Sequence, residues 1–290
     1  MNWLGYALLA AVLQSAATIL QKETLSKGSS MRFSFILMVL KAALFLPLIR
    51  SFNLSALHGW APYAVLGSGI LGSFAFVLTA KSLKHMEIST ISPLFLLSPA
   101  LAAITSYLFL HETLNLLQSG GIGLLLVGAY VLQTSRGGSI WEPFIRLRTS
   151  KYVQYILLAL LVYGFSGMLD RASVSQFGIN PDGYLEAVFL LQALFSTLIY
   201  AFSLRGWHEV ATEKLPVLPV LGVALLTAAY QYAQIHAMVF AVAGLVLAVK
   251  RASSVVTGII GGEIFHEHDL LRKGFAGGIM MAGVVVLVWH

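Results

Sequence analysis

HETLNLLQSGGIGLLLVGAYVL (residues 111–132) falls on HEHDLLRKGFAGGIMMAGVVVL (residues 266–287) when the chain is shifted by 155 positions against itself. Seven of these 22 positions are identical: His111 with His266, Glu112 with Glu267, Leu116 with Leu271, Gly123 with Gly278, Gly128 with Gly283, Val131 with Val286 and Leu132 with Leu287. Apolar helices agree in part for free, because few residue types fill them. A His-Glu corner followed by two registered glycines asks for more than shared composition and reads as an internal repeat. Each copy runs from a polar corner into an apolar stretch close to the roughly 20 residues that cross a hydrocarbon core about 30 Å thick.

The rest of the chain extends that pattern. Its 290 residues are 58% hydrophobic and only 10% charged, with a mean hydropathy of +0.84. An ordinary soluble domain carries roughly 25% charged residues. Hydropathy together with Pro, Gly and charge punctuation predicts spans near 3–22, 32–50, 60–82, 89–110, 116–134, 152–171, 183–204, 217–239, 243–265 and 270–289. The expected fold is an all-α polytopic membrane protein of ten transmembrane helices. The longest polar stretch, 135–151, contains Gly137, Gly138, Arg146 and Arg148 and divides the chain into halves at 1–134 and 152–290. An odd number of helices per half makes the second enter the membrane from the opposite side, so the two five-helix repeats are inverted, an architecture that holds solutes between the halves. The segment from Met1 to Ala11 lacks a basic start and a small-residue cleavage site, and is read as the beginning of the first span.

The formal charge is +6, but the 18 Lys and Arg are scattered singly, which fits membrane flanks and gives no nucleic-acid patch. There is no cysteine, hence no disulfide framework and no thiolate metal site. HEHD at 266–269 lacks metalloprotease spacing and is expected to cap a helix end, so neither metal nor cofactor is expected. No phosphate loop, dinucleotide fingerprint or nucleophile elbow occurs, and the loops are too short and plain for an enzyme's catalytic groups.

An ionisable residue inside a span costs a few kcal/mol or more unless it has a partner, a cavity or a function. Lys41 lies within FILMVLKAALFLPL (35–48), either locking helices to a carboxylate or facing a substrate. Lys250 and Arg251 sit in GLVLAVKRASSVV (244–256), where adjacent residues point about 100° apart and cannot both face one cavity squarely. Lys22-Glu23 and Asp170-Arg171 close the first and sixth spans and are expected to pair between helices. A shift of 149 sets Lys22 on Arg171 and Gln21 on Asp170, and a shift of 151 sets Lys41 on Gln192. Tyr230, Gln231, Tyr232 and Gln234 in the eighth span, Ser73, Phe74, Phe76 and Thr79 in the third, Tyr163 and Ser166 in the sixth, and Gln14 and Thr18 in the first offer a hydrogen-bonding, aromatic pocket. Asp170, Glu186 and Glu263 are the membrane carboxylates available for proton coupling. Pro93 and Pro99 are expected to kink the fourth span, and Gly258 and Gly262 to allow close packing in the ninth.

SPALAAITSYLFLHETL (98–114) with GGIGLLLVGAYVL (120–132), echoed by KRASSVVTGIIGGEIFHEHDLL (250–271) with GGIMMAGVVVL (277–287), resembles the drug/metabolite transporter superfamily in its ten-helix, EamA-type form. The resemblance covers essentially the whole chain. It implies transport without naming a cargo, since members carry amino acids and their derivatives, choline-like cations, nucleotide sugars, sugar phosphates and drugs. It puts Lys41 where many members have Arg, which implies a shared structural role. The related four-helix small multidrug resistance proteins carry a first-helix glutamate where this chain has Gln14, a departure that argues against their carboxylate-exchange mechanism.

Loop charges and resemblance disagree on orientation. Ten loop cations (Lys27, Lys84, Arg136, Arg146, Arg148, Lys151, Arg205, Lys214, Arg272, Lys273) lie opposite the termini and one, Arg50, on their side. The positive-inside rule then puts both termini outside the cytoplasm, while the resemblance implies both inside. The sequence thus reads as an integral, multi-pass carrier in the inner membrane of a prokaryote, monomeric or homodimeric, moving a small organic solute of amino-acid, amino-acid-derivative or choline-like class by alternating access. The alternative is a non-transporting or lipid-flipping subunit of a membrane assembly. Expected site residues are Gln14, Thr18, Lys41, Thr79, Tyr163, Asp170, Arg171, Tyr230, Gln231, Gln234 and Lys250.

Overall fold

A computed structural model describes residues 3–98, 100–101, 116–133, 141, 145, 148–203, 216–241 and 243–288. The described residues hold ten main α-helices: α1 Trp3–Ser26, α2 Ser30–Phe45, α3 Ala61–His85, α4 Ile88–Leu94, α5 Leu116–Gln133, α6 Lys151–Arg171, α7 Pro181–Ser203, α8 Val217–Phe240, α9 Ala243–Ile264 and α10 Leu270–Val288. Among them, α1, α3, α7, α8, α2 with its continuation to Ser51, and α6 with its continuation to Gln176 are long and apolar enough to cross a membrane. Shorter apolar helical stretches lie at Ile88–Leu97 and Ser119–Leu132. The chain is a multi-pass integral membrane protein. His111, Glu112 and Pro99, and with them one of the two His-Glu corners, lie outside the described residues.

Local chemistry sets the helix ends. Asn180 caps α7, its side-chain oxygen accepting from Asp182 N at 3.0 Å and Gly183 N at 3.5 Å, with Pro181 at the first helical position where no amide partner is needed. Ser150 caps α6 by accepting from Val153 N at 3.5 Å. Within α4 the ring of Pro93 cannot continue the amide ladder, and the helix tightens into a 3₁₀ turn at Phe95–Leu97. Beyond α6 the backbone widens into a π-turn at Ala172–Gln176.

Helices pack across the midpoint of the chain: α1 against α8, α3 against α6, α2 against α7, α4 against α9 and α5 against α10. The polarity is that of a protein dissolved in lipid. Val12 is 68% exposed and Leu8, Leu158, Leu194 and Phe202 also face outward, while Lys41 is 1% and Glu186 0% exposed. Phe74, expected in the pocket, faces outward instead at 42%, because its helix neighbours Phe76 and Thr79 take the inner face.

Candidate functional site

A cavity lies at the centre of the bundle, about 120 Å³ of it open to water-sized atoms. One water needs roughly 10–15 Å³ on that measure, so the space is wide enough for several waters or for part of an organic solute. Its wall comes from α1, α3, α6, α7, α8, α9 and the turn after α4, so both halves of the chain contribute. Of the residues expected from the sequence, Gln14, Thr79, Tyr163, Asp170, Tyr230, Gln231, Gln234 and Lys250 line it.

The charged groups are held by neutral partners more than by one another. Asp170 accepts at Oδ1 from the Tyr184 hydroxyl at 2.6 Å and from the Ser68 hydroxyl. Lys250 donates to Gln234 Oε1, and its ammonium lies 5.4 Å from the centre of the Tyr230 ring. Arg251, adjacent in sequence, reaches a different neighbour: Nε donates to Ser98 Oγ at 3.0 Å and the guanidinium lies 4.7 Å from the Phe95 ring. Divergent directions therefore do not keep one of the two from the cavity. Lys250 reaches it along α8 and Arg251 along the end of α4, and both line it.

Lys41 stands just behind the wall. Its ammonium donates to Gln231 Oε1 at 2.8 Å and Gln192 Oε1 at 3.0 Å and lies 4.3 Å from the Phe189 ring, all three residues lining the cavity. The hydrogen-bond partners are amides, where a carboxylate was one expectation. Glu186 lies on the same helix one turn before Phe189, and both its oxygens are buried without a hydrogen bond. Glu263 is exposed near the end of α9 and does not line the cavity.

Two other expected residues lie elsewhere. Thr18 donates to Gln14 O at 2.8 Å within its own helix and is not in the wall. Arg171, expected to line the site, donates instead to Ala241 O at 2.9 Å, the residue that ends α8. Lys22 makes the same contact in the other half, donating to Leu83 O at 2.8 Å and to Met86 O, the residue that ends α3, at 2.6 Å. Cations at helix C-termini complement the free carbonyls there, which explains why, among the described residues, carbonyls stand where carboxylates were expected. Sequence reasoning passed over Gln21, Ser68, Ser98 and Tyr184, all in the wall. Gln21 was legible as the residue aligned with Asp170, whereas Ser68 and Tyr184 are marked only by the carboxylate they serve.

Away from the cavity, Glu267 of the HEHD corner accepts from the backbone amides of Ile88 at 2.7 Å and Ser89 at 2.9 Å and from the Ser89 hydroxyl, fastening the start of α4 to the turn between α9 and α10. His266 and Asp269 in that turn adopt positive φ values of 54° and 58°.

The cavity is polar and is walled by residues of both halves of the chain. Residues 1–134 match the EamA-like transporter family. This EamA-like half supplies α1 to α5, and with them Gln14, Gln21, Ser68, Thr79 and Ser98 of the wall. A protein of Archaeoglobus fulgidus described as an uncharacterized transporter is 26% identical over 127 residues, which are 43% of this chain and 46% of that protein, so the likeness spans less than half of that relative. A solved structure titled only "Crystal structure of protein" superposes with a TM-score of 0.61 over 97% of this chain and 96% of that one, at 18% identity. That likeness concerns the fold alone.

Proposed function

We propose that the chain is a secondary transporter moving a small organic solute, of amino-acid, amino-acid-derivative or choline-like class, by alternating access around the central cavity. The observation that carries this reading is the cavity itself: Asp170, Lys250 and Arg251 are withdrawn from lipid onto one polar space bounded by both halves. Charges at such depth are costly and mark solute pathways. A cavity walled by both halves of the chain favours this reading over a lipid-flipping or assembly subunit.

The two halves act as inverted repeats, divided at the polar segment 135–151. Residues related by the sequence repeat support this, since they do the same things at opposite ends of the bundle. Lys22 seals the end of α3 and Arg171 the end of α8, while Lys41 touches Gln192, with which it aligns. Rocking one half against the other then exposes the same residues to either side in turn. Asp170 at the cavity and Glu186 beside Lys41 are the carboxylates placed to couple a proton to that motion. The protein works in the inner membrane of a prokaryote, as a monomer or homodimer.

Purified protein in liposomes tests the reading. Saturable uptake of at least one labelled member of an amino-acid, choline and nucleotide-sugar panel is the expected result. No movement of any of them by protein whose helical circular-dichroism spectrum is intact overturns it.

A further inference from the structure

Among the described side chains lining the cavity, Arg251 carries a buried cationic donor without a hydrogen-bond partner. Arg251 is 5% exposed and lines the cavity, and its Nε is committed to Ser98. Its Nη1 is buried with no hydrogen-bond partner. The other charged groups are engaged: Lys41 by two glutamines, Lys250 by Gln234, and Asp170 by Ser68 and Tyr184. A guanidinium edge is planar and offers its donors in the spacing of a carboxylate.

The aromatic rings point the same way. A site for a quaternary or primary ammonium presents open ring faces to the cation. Here three rings of the wall already lie against cations of the protein itself, Phe189 with Lys41, Phe95 with Arg251 and Tyr230 with Lys250. At each of these three rings a mobile cation would be repelled by the cation already lying there. A carboxylate meets the reverse.

We infer that the cavity takes solutes bearing a carboxylate, held at Arg251, and does not take organic cations. This rests on the transporter reading of the same cavity and narrows it, removing the choline-like class. Arg251 touches the solute; Ser98 and Phe95 are positioning residues that set the guanidinium's plane.

The experiment uses matched pairs that differ at the carboxylate. Glycine betaine is compared with choline, which shares its trimethylammonium head, and each common L-amino acid with its carboxamide, by ligand-dependent thermal shift and by uptake into liposomes of the full-length chain. The carboxylate member of at least one pair is expected to bind and move about 10- to 100-fold better than its partner, the range for losing a charged hydrogen bond. Arg251→Gln is expected to erase that ratio, and Arg251→Lys to restore part of it. If Arg251→Gln does not fold, the ratio measured on the unaltered protein decides alone. Equal or better handling of choline or of the carboxamides overturns the inference and leaves the transporter reading standing. A ratio that survives intact in folded Arg251→Gln overturns the assignment to Arg251. Absence of both binding and uptake for every member of every pair takes down both readings.

Discussion

Lys22 and Arg171 show how much a single half-buried cation depends on what its neighbours lack. Each sits at the end of a helix and finds the last carbonyls of a second helix, Met86 O for Lys22 and Ala241 O for Arg171. Those carbonyls have no intrahelical donor, so the cation satisfies them and meets the negative end of the helix dipole. Truncation removes the cap and leaves half-buried acceptors bare. Lys22→Ala and Arg171→Ala are each expected to lower stability by roughly 1–3 kcal/mol, read as a lowered midpoint of thermal unfolding in detergent. Arg171→Lys, which keeps a donor, is expected to recover most of the loss. A midpoint unchanged in both alanine variants would show that the caps contribute nothing. The alignment of these two residues was legible in the sequence, but their partners were not, because a helix end advertises itself by absence of donors and not by residue type. Lys41 and Arg251 were likewise legible as charges that need company, while Gln192, Gln231, Ser98 and the ring faces that provide it are ordinary residues until the helices are assembled.

Among the helices, the contact between α5 and α10 depends on the glycines that first marked the repeat, and the structure divides them into two kinds. A Cβ built on Gly128 falls 2.4 Å from Met280 Cγ and 2.9 Å from Ala276 O. On Gly283 it falls 2.8 Å from Gly121 O and 2.9 Å from Leu125 N. Each glycine lets the partner helix's backbone approach, and the two contacts are reciprocal. Gly123 and Gly278, equally registered in the alignment, have nothing within 4 Å of such a Cβ. Gly128→Ala and Gly283→Ala are therefore expected to destabilise by about 1–3 kcal/mol through overpacking. Gly123→Ala and Gly278→Ala are expected to be neutral or slightly stabilising, since alanine favours helix over glycine by roughly 1 kcal/mol. Heat-induced aggregation profiles of the four variants separate these outcomes, and equal effects in all four would contradict the packing. Sequence identity thus located the right helices, and only packing tells which identities carry contact. The interruption of the fourth span's helical ladder was legible from Pro93, whereas its form, a short α4 giving way to a 3₁₀ turn, was not, since hydropathy continues unbroken through FLL at 95–97.

In the whole molecule the cavity is tied off toward both ends by contacts between halves. At one end, Glu267 binds the start of α4, and Lys273 donates to Glu87 at 2.5 Å and Ser89 Oγ at 2.9 Å. At the other, Asn53 donates to Gly178 O at 3.2 Å and accepts from Asn180 N at 2.9 Å, while the Phe52 backbone lies so close to Gly183 that a Cβ there would fall 2.4 Å from it. Exchange between outward and inward access requires one set to part while the other holds. The chain contains no cysteine, so a thiol reagent attacks only what is introduced. In the double variant Glu87→Cys, Lys273→Cys, joining the two positions with a short bifunctional thiol reagent is expected to abolish net uptake into liposomes. Thermal stabilisation by a transported solute is expected to persist, because the cavity residues are untouched. Each single variant given the same reagent should continue to transport, which separates locking from simple loss of the Lys273 and Glu87 contact. Full-rate uptake by the cross-linked double variant would mean that this end never opens, and with it would go the rocking motion on which the two-sided use of the cavity depends.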